Sequence, residues 1–371
     1  MTHTGPHILI ATGGSGGHLY PAFAVADEIE RRWSGAQVRF TIGPRDIERD
    51  ICRSENREAQ VLPLVSTSEA RRHPVRFLTG YWRARRVARE LLRSFQPTCV
   101  IGAGGFTMGP VVQASLAAHI PVVLLEQNVI PGRATRWFSR RADTICSSFE
   151  VLTPPLSQAR VVVTGNPVRA AIAGIAKHPE LGRQNLLVMG GSQGARGLNE
   201  GLVWLAEDHP AALASWNVVH QTGGDESARE VSSAYARMTI TARVMPFISD
   251  MAGEYTRADL VIARAGATSL AELACAGIPA VLVPYPFARD LHQHTNARVF
   301  SERGAALVVE QGADPATTGE RLLAALESLG SDARRIAMSE QMKRLARPDA
   351  AARVVDVIAA AIERRGLHRE F

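Results

Sequence analysis

Three glycine-rich segments offer the clearest chemistry in the chain. Gly13-Gly14-Ser15-Gly16-Gly17-His18, the stretch from Gly102 to Gly109, and Gly190-Gly191-Ser192-Gln193-Gly194 each follow a short apolar run and precede a run with helical spacing. A strand, glycine turn and helix in that order aim backbone N–H groups and the positive end of a helix at one point. That suits an anion, above all a phosphate. Two familiar phosphate devices are missing. A P-loop needs a lysine after its glycine, whereas Lys177 follows Ala176 and Lys343 follows Met342. The dinucleotide fingerprint G-x-G-x-x-G fails because Gly14-Ser15-Gly16 is followed three places on by Leu19. No Asp-x-Asp pair occurs either, which speaks against holding a diphosphate through a divalent cation.

Three titratable side chains stand beside these turns. His18 closes the first one. Near a helix N-terminus its neutral form is favoured, which suits a general base or a hydrogen-bond donor; a histidine satisfied within the fold is the alternative. Glu126 follows the apolar run Pro121 to Leu125 and is a second candidate base, or an ordinary loop carboxylate. Glu272 ends Ser269-Leu270-Ala271-Glu272, the spacing of a helix capping box.

The elements that must position these groups alternate between strand and helix, the pattern of a parallel sheet covered by helices: an α/β protein. Expected strands are His7 to Ala11, Thr98 to Ile101, Pro121 to Leu125, Val161 to Val163, Asn185 to Met189, Trp216 to His220, Arg243 to Phe247, Asp259 to Ala263 and Ala280 to Pro284. The first helix is expected from Pro21, with Ala22, Val25, Ala26 and Ile29 on its apolar face. The turn-forming cluster Thr164-Gly165-Asn166-Pro167 suggests domains at 1–165 and 166–345. A final helix within 346–371, striped by Val354, Val355, Val357, Ile358 and Ala361, is expected to pack back on the N-terminal domain. Two doubly wound domains would put ligands at the carboxyl ends of both sheets, in a cleft between them.

At 371 residues the chain is long for one core. Its 46% hydrophobic and 21% charged residues exclude a disordered chain. No stretch approaches the roughly 18 apolar residues of a membrane-spanning helix, and Met1 to Pro6 does not read as a signal peptide. Cys52, Cys99, Cys146 and Cys275 form no Cys-x-x-Cys pair and read as buried thiols in a reducing cytosol. The net charge of +6 favours acidic partners. Lys177 and Lys343 are the only lysines, so nearly all the positive charge is arginine, the residue suited to bidentate phosphate contacts. Between Arg71 and Arg93, eight arginines alternate with Phe77, Leu78, Tyr81, Trp82, Leu91 and Leu92. A basic, aromatic surface of that kind docks on anionic lipid. A solvated helix face is the alternative, and no recognised nucleic-acid motif accompanies it.

Taken in order, the motifs resemble the MurG family of glycosyltransferases. The resemblance is carried by Gly13 to His18 with Pro21, Gly102-x-Gly104-Gly105-x-x-x-Gly109-Pro110, Glu126-Gln127-Asn128 and Gly165-Asn166-Pro167-Val168-Arg169. It continues through the Gly190 turn, Phe247-Ile248-x-x-Met251, Arg264-x-Gly266-Ala267-Thr268 to Glu272, and Pro284 to Ala297 with Asp290, Gln293 and Asn296. It spans nearly the whole chain. It implies a GT-B fold of two Rossmann-like domains. The implied reaction is an inverting, metal-free and cofactor-free transfer of N-acetylglucosamine from UDP-GlcNAc to the muramyl 4-hydroxyl of lipid I (undecaprenyl-pyrophosphoryl-muramoyl pentapeptide), giving lipid II. The implied location is the cytoplasmic face of the cell membrane, as a peripheral protein.

The same resemblance implies residue roles. Glu272 binds both ribose hydroxyls of UDP. Ala267, Thr268, Ser269, Leu270 and Ala271 set a helix N-terminus at the diphosphate, which Ser192 and Arg169 also contact. Read alone, Ser192 is a turn serine and Arg169 a solvated arginine. The Ile248 backbone reads the uracil edge, Gln293 orients the GlcNAc hydroxyls, and Asn128 reaches the donor from the N-terminal domain. Ser15, Gly16 and Gly17 bind substrate, and His18 or Glu126 takes the acceptor proton. Phe106, Met108 and Leu125 depart from the common pattern, in segments expected to face the lipid acceptor. The rival readings are transfer of a UDP-sugar to another lipid such as diacylglycerol, and a catalytically silent UDP-sugar-binding membrane module.

Overall fold

The computed structural model describes residues 5–65, 73–175, 184–191, 194–288 and 291–366. The chain divides into two compact units, Met1–Arg169 with Asp349–Phe371, and Ala170–Pro348.

The first unit is built on a seven-stranded parallel sheet: β1 (His7–Ala11), β2 (Gln37–Ile42), β3 (Ala59–Val61), β4 (Cys99–Gly102), β5 (Val122–Glu126), β6 (Thr144–Ser147) and β7 (Val161–Val163), in the order β3-β2-β1-β4-β5-β6-β7. Both faces of β1 are buried. Ile8 and Ile10 join one apolar cluster, with helices Gly16–Arg32 and Ala350–Arg364, while Leu9 and Ala11 join another, with helices Pro74–Phe95 and Met108–Ala117. That is why β1 reads as a continuous apolar run rather than an alternating one. Val354, Val355, Ile358, Ala361 and Ile362 of the last helix lie in the same cluster as Ile8. Arg364 donates to Thr144 Oγ1 at 3.0 Å and Arg365 to Asp143 at 2.9 Å.

The second unit repeats the plan with six parallel strands: β8 (Asn185–Met189), β9 (Asn217–Gln221), β10 (Ala242–Met245), β11 (Leu260–Ala263), β12 (Ala280–Leu282) and β13 (Ala306–Val308), ordered β10-β9-β8-β11-β12-β13. Each sheet starts in its middle, winds one way, then returns and winds the other. This is the doubly wound order, whose direction reverses at β1/β4 in one unit and β8/β11 in the other, the place where sheets of this kind bind ligands. No helix among the described residues is long and apolar enough to cross a membrane.

The first helix begins at Gly16, not at Pro21, which lies inside it. As the sixth helical residue, in the second turn, Pro21 cannot donate the ladder bond from position 21 to the Gly17 carbonyl.

Candidate active site

In the second unit the chain leaves β11 through Arg264 and Ala265 and enters helix Ala267–Ala276 at Gly266. Gly266 has no side chain to offer, no side-chain oxygen caps the helix, and its first turn contains no acid. An uncapped helix start carries partial positive charge and suits an anion. Ala267 and Thr268 are buried, and Ser269 is half-buried. With Gly266 as the cap, Ser269 is the third helical residue. The capping box that the Ser269–Glu272 spacing offered as an alternative is therefore not formed, because the glycine starts the helix three residues early. Leu270 packs in the interior, and Ala271 is half-buried.

Glu272 is 5% exposed, and its Oε2 accepts a 3.0 Å hydrogen bond from the Tyr255 hydroxyl. Tyr255 sits on helix Met251–Arg257, which Asp250 caps by accepting from the Gly253 N–H. Just before that cap, Ile248 is buried.

The Gly190 turn is braced against the end of β9. Gly194 has φ +73°, and a Cβ there would lie 2.5 Å from Thr222 O, so only glycine fits. Gln221 Nε2 donates to Gly191 O (3.1 Å) and Pro246 O (3.0 Å), tying the ends of β8, β9 and β10 together. Beneath it, His220 is fully buried between the Tyr235 hydroxyl (3.0 Å) and Asn199 Oδ1 (3.1 Å). Burial pushes its pKa down to about 3, so the ring is neutral. Ser192, Gln193 and Asp290 lie outside the described residues.

Gln293 Oε1 accepts from the Tyr285 N–H at 2.9 Å, which leaves its amide nitrogen to donate. The turn carrying Tyr285 is held by Arg264, 8% exposed. Its guanidinium donates to Val283 O (3.1 Å), Pro284 O (3.3 Å) and Gln311 Oε1 (2.7 Å), and burial lowers its pKa to about 10.

In the first unit Ser15 is the N-cap of helix Gly16–Arg32, and its side chain makes no capping bond. Ser15 is half-buried, Gly16 buried and Gly17 exposed. The Gly14 N–H is already engaged. Glu48, fully buried, accepts from it at 2.9 Å and from Gly43 N–H at 2.7 Å. One donor of this turn is thus taken by the chain's own carboxylate.

His18, in the first turn of that helix, places Nδ1 3.1 Å from Gln127 Oε1. Glu126 ends β5, 3% exposed. One oxygen accepts from Asn128 N–H (3.0 Å) and the other from Gly132 N–H (2.9 Å), so the carboxylate shapes the turn after the strand. Burial pushes its pKa up, and hydrogen bonds from Thr135, Asn128 and Gly132 oppose the shift. Asn128 is half-buried on that turn. Arg169 stacks 4.4 Å above the Tyr20 ring. Met108 and Leu125 are core residues at 0% and 2% exposure; Phe106 stacks on Phe77 at 5.0 Å.

The glycosyltransferase family 28 N-terminal domain matches residues 8–147, and the family's C-terminal domain matches residues 185–354. The chain belongs to glycosyltransferase family 28. A relative from Nitratidesulfovibrio vulgaris, named UDP-N-acetylglucosamine--N-acetylmuramyl-(pentapeptide) pyrophosphoryl-undecaprenol N-acetylglucosamine transferase, is 40% identical over 97% of this chain and 98% of its own. A Pseudomonas fluorescens relative of the same name is 37% identical over 95% and 98%. The crystal structure of Acinetobacter baumannii MurG superposes with a TM-score of 0.73 at 29% identity, covering 96% of this chain and 99% of that one. CalG4, the calicheamicin glycosyltransferase, shares the GT-B fold at 18% identity and a TM-score of 0.66.

On this family 28 chain the helix Pro74–Phe95 divides its aromatic residues. Phe77 and Tyr81 turn inward to Phe106, Tyr81 donating to Gln113 at 3.1 Å, and Leu92 is buried, while Leu91 is half-buried against the core. Val75, Leu78 and Trp82 are exposed among Arg76, Arg83, Arg86 and Arg89. Arg71 and Arg72 lie outside the described residues. The sequence reading missed a second exposed aromatic among the described residues of the first unit, Trp137, which stands at 77% between Arg133 and Arg140. It also missed Glu48 and Tyr255 and gave Gln127 no role of its own within the Glu126-Gln127-Asn128 motif; each acquires meaning from a partner elsewhere in the chain.

Proposed function

We propose that this family 28 enzyme transfers N-acetylglucosamine from UDP-GlcNAc to the muramyl 4-hydroxyl of lipid I, giving lipid II with inversion. The observation that carries the reading is the identity of 37% to 40%, over nearly whole chains, with relatives bearing that activity in their names. The chemistry of the second unit supports the donor. The diphosphate sits at the uncapped N-terminus of helix Ala267–Ala276, and the two ribose hydroxyls donate to the Glu272 carboxylate, which Tyr255 holds in place. The uracil edge meets the backbone at Ile248, and Gln293 reads the sugar hydroxyls. Negative charge that develops on the departing UDP is met by dipoles placed in advance.

In the first unit His18 is the base, and Glu126 builds the turn rather than moving a proton. The acceptor oxygen attacks the anomeric carbon as the bond to the diphosphate breaks, UDP leaves with the electron pair, and the hydroxyl proton passes to His18. Leu78, Trp82 and Trp137, with the arginines around them, dock the first unit on the anionic cytoplasmic face of the membrane.

The test offers labelled UDP-GlcNAc with lipid I in one reaction and diacylglycerol in another. Label transferred to lipid I alone supports the reading; transfer to diacylglycerol alone, or to neither, overturns it.

A further inference from the structure

We propose that Gln127 is a positioning residue that fixes the tautomer of His18, leaving the lone pair on Nε2. The proposal rests on the reading of His18 as the base. Gln127 is 3% exposed, and the two ends of its carboxamide are told apart by their partners. Nε2 donates to the main-chain carbonyl of Ala103 at 2.9 Å. A carbonyl only accepts, so the amide cannot be turned over without setting oxygen against oxygen. The end facing His18 Nδ1 at 3.1 Å is therefore Oε1, which also only accepts. Nδ1 must carry the proton, and in a neutral imidazole the other nitrogen, Nε2, keeps its lone pair.

The second loop holds the ring in that orientation. Gly104 has φ +105°, and a Cβ there would lie 2.4 Å from His18 Nδ1 and 2.7 Å from Cε1. The imidazole edge bearing Nδ1 thus lies directly against glycine backbone. A half-turn of the ring would set a C–H against Gln127 Oε1 and lose the hydrogen bond. The ring is gripped by groups that follow three neighbouring strands: β1 leads to His18, β4 to Ala103 and Gly104, and β5 to Gln127. In the other tautomer Nε2 carries a hydrogen where the hydroxyl proton has to go, and the ring cannot act as base.

The experiment uses the full chain labelled with 15N-histidine, wild type and Gln127→Met. The His18 signals are identified as those missing from His18→Gln. In the wild type His18 gives the Nδ1–H signature. In Gln127→Met that signature is lost or mixed with Nε2–H, kcat falls by about 10²–10⁴-fold, the range general-base catalysis supplies, and KM for UDP-GlcNAc stays within about twofold. Nε2–H in the wild type, or an unchanged Nδ1–H signature in Gln127→Met, overturns the proposal. The wild-type spectrum decides the matter even if the variant does not fold. A shifted tautomer with unchanged kcat, together with wild-type turnover in His18→Gln, removes the base reading while leaving the proton on Nδ1.

Discussion

Replacing Glu272 by glutamine isolates what its charge does. The carboxylate is 5% exposed, and its Oε2 accepts a hydrogen bond from Tyr255 at 3.0 Å. Glutamine has the same shape, and its oxygen still accepts from Tyr255, so folding stability should change by less than about 1 kcal/mol. The loss falls on the ligand. A hydrogen bond to a charged group is worth about 1.5–3 kcal/mol against about 1 for a neutral pair. One of the two ribose bonds becomes neutral and the other meets an N–H donor. The expected deficit of about 2–3 kcal/mol weakens UDP binding about 30- to 150-fold. Calorimetric titration with UDP reads this directly, and a thermal melt checks the fold. If UDP affinity stays within about threefold while Tm drops by several degrees, Glu272 is a brace for Tyr255 and the donor assignment is wrong.

Other outcomes follow from the same geometry. If helix dipoles and hydrogen bonds hold the diphosphate, turnover should persist in excess EDTA; activity that disappears and returns only with magnesium would refute that. His220 has a folded pKa near 3 against 6.5 when free, so its contribution to stability is complete above pH 6.5 and drains as the pH falls toward 3. The slope reaches up to about 1.4 kcal/mol per pH unit, and His220→Asn should flatten melting curves between pH 6 and 4 relative to wild type. Glu126→Gln turns one acceptor into a donor facing a main-chain N–H, which should cost about 2–4 kcal/mol in denaturant unfolding. An unchanged midpoint with a thousandfold loss of kcat would instead return Glu126 to the role of base. Trp82→Ala with Trp137→Ala should reduce co-sedimentation with anionic vesicles several-fold; wild-type protein that shows no preference for anionic over neutral vesicles would count against docking.

The strands beside the glycine turns were legible because parallel strands buried on both faces read as apolar runs, as β1 does after His7 and β5 does up to Glu126. β2, β3, β6 and β13 were missed for reasons visible in their residues. The first half of β2 is largely exposed and carries Gln37 and Arg39, β3 and β13 are three residues long, and β6 buries Thr144 and Ser147 among its apolar residues. Periodicity also misplaced the first helix, since it could not see that Gly16 and Gly17 already have helical geometry. In the site, the turns and His18 were visible as local motifs. Their supports were not, because Glu48 looks like one more charge on a polar helix until Gly14 and Gly43 arrive to donate to it. The capping-box spacing at Ser269 is the converse case, a local pattern that the motif around it already outweighed and that the glycine before it overrules in the structure.

Helix Ala350–Arg364 completes the cluster that contains Ile8 and Ile10, yet it is synthesised after every residue of the second unit. The ribosome therefore finishes the later unit while the earlier one still lacks a wall. Completion can thus run opposite to translation: residues 170–348 need no later segment, whereas the part of the chain made at the outset keeps an apolar flank open until helix Ala350–Arg364 emerges. Nascent chains stalled before Ala350 should accordingly engage chaperones through their oldest segment, not their newest.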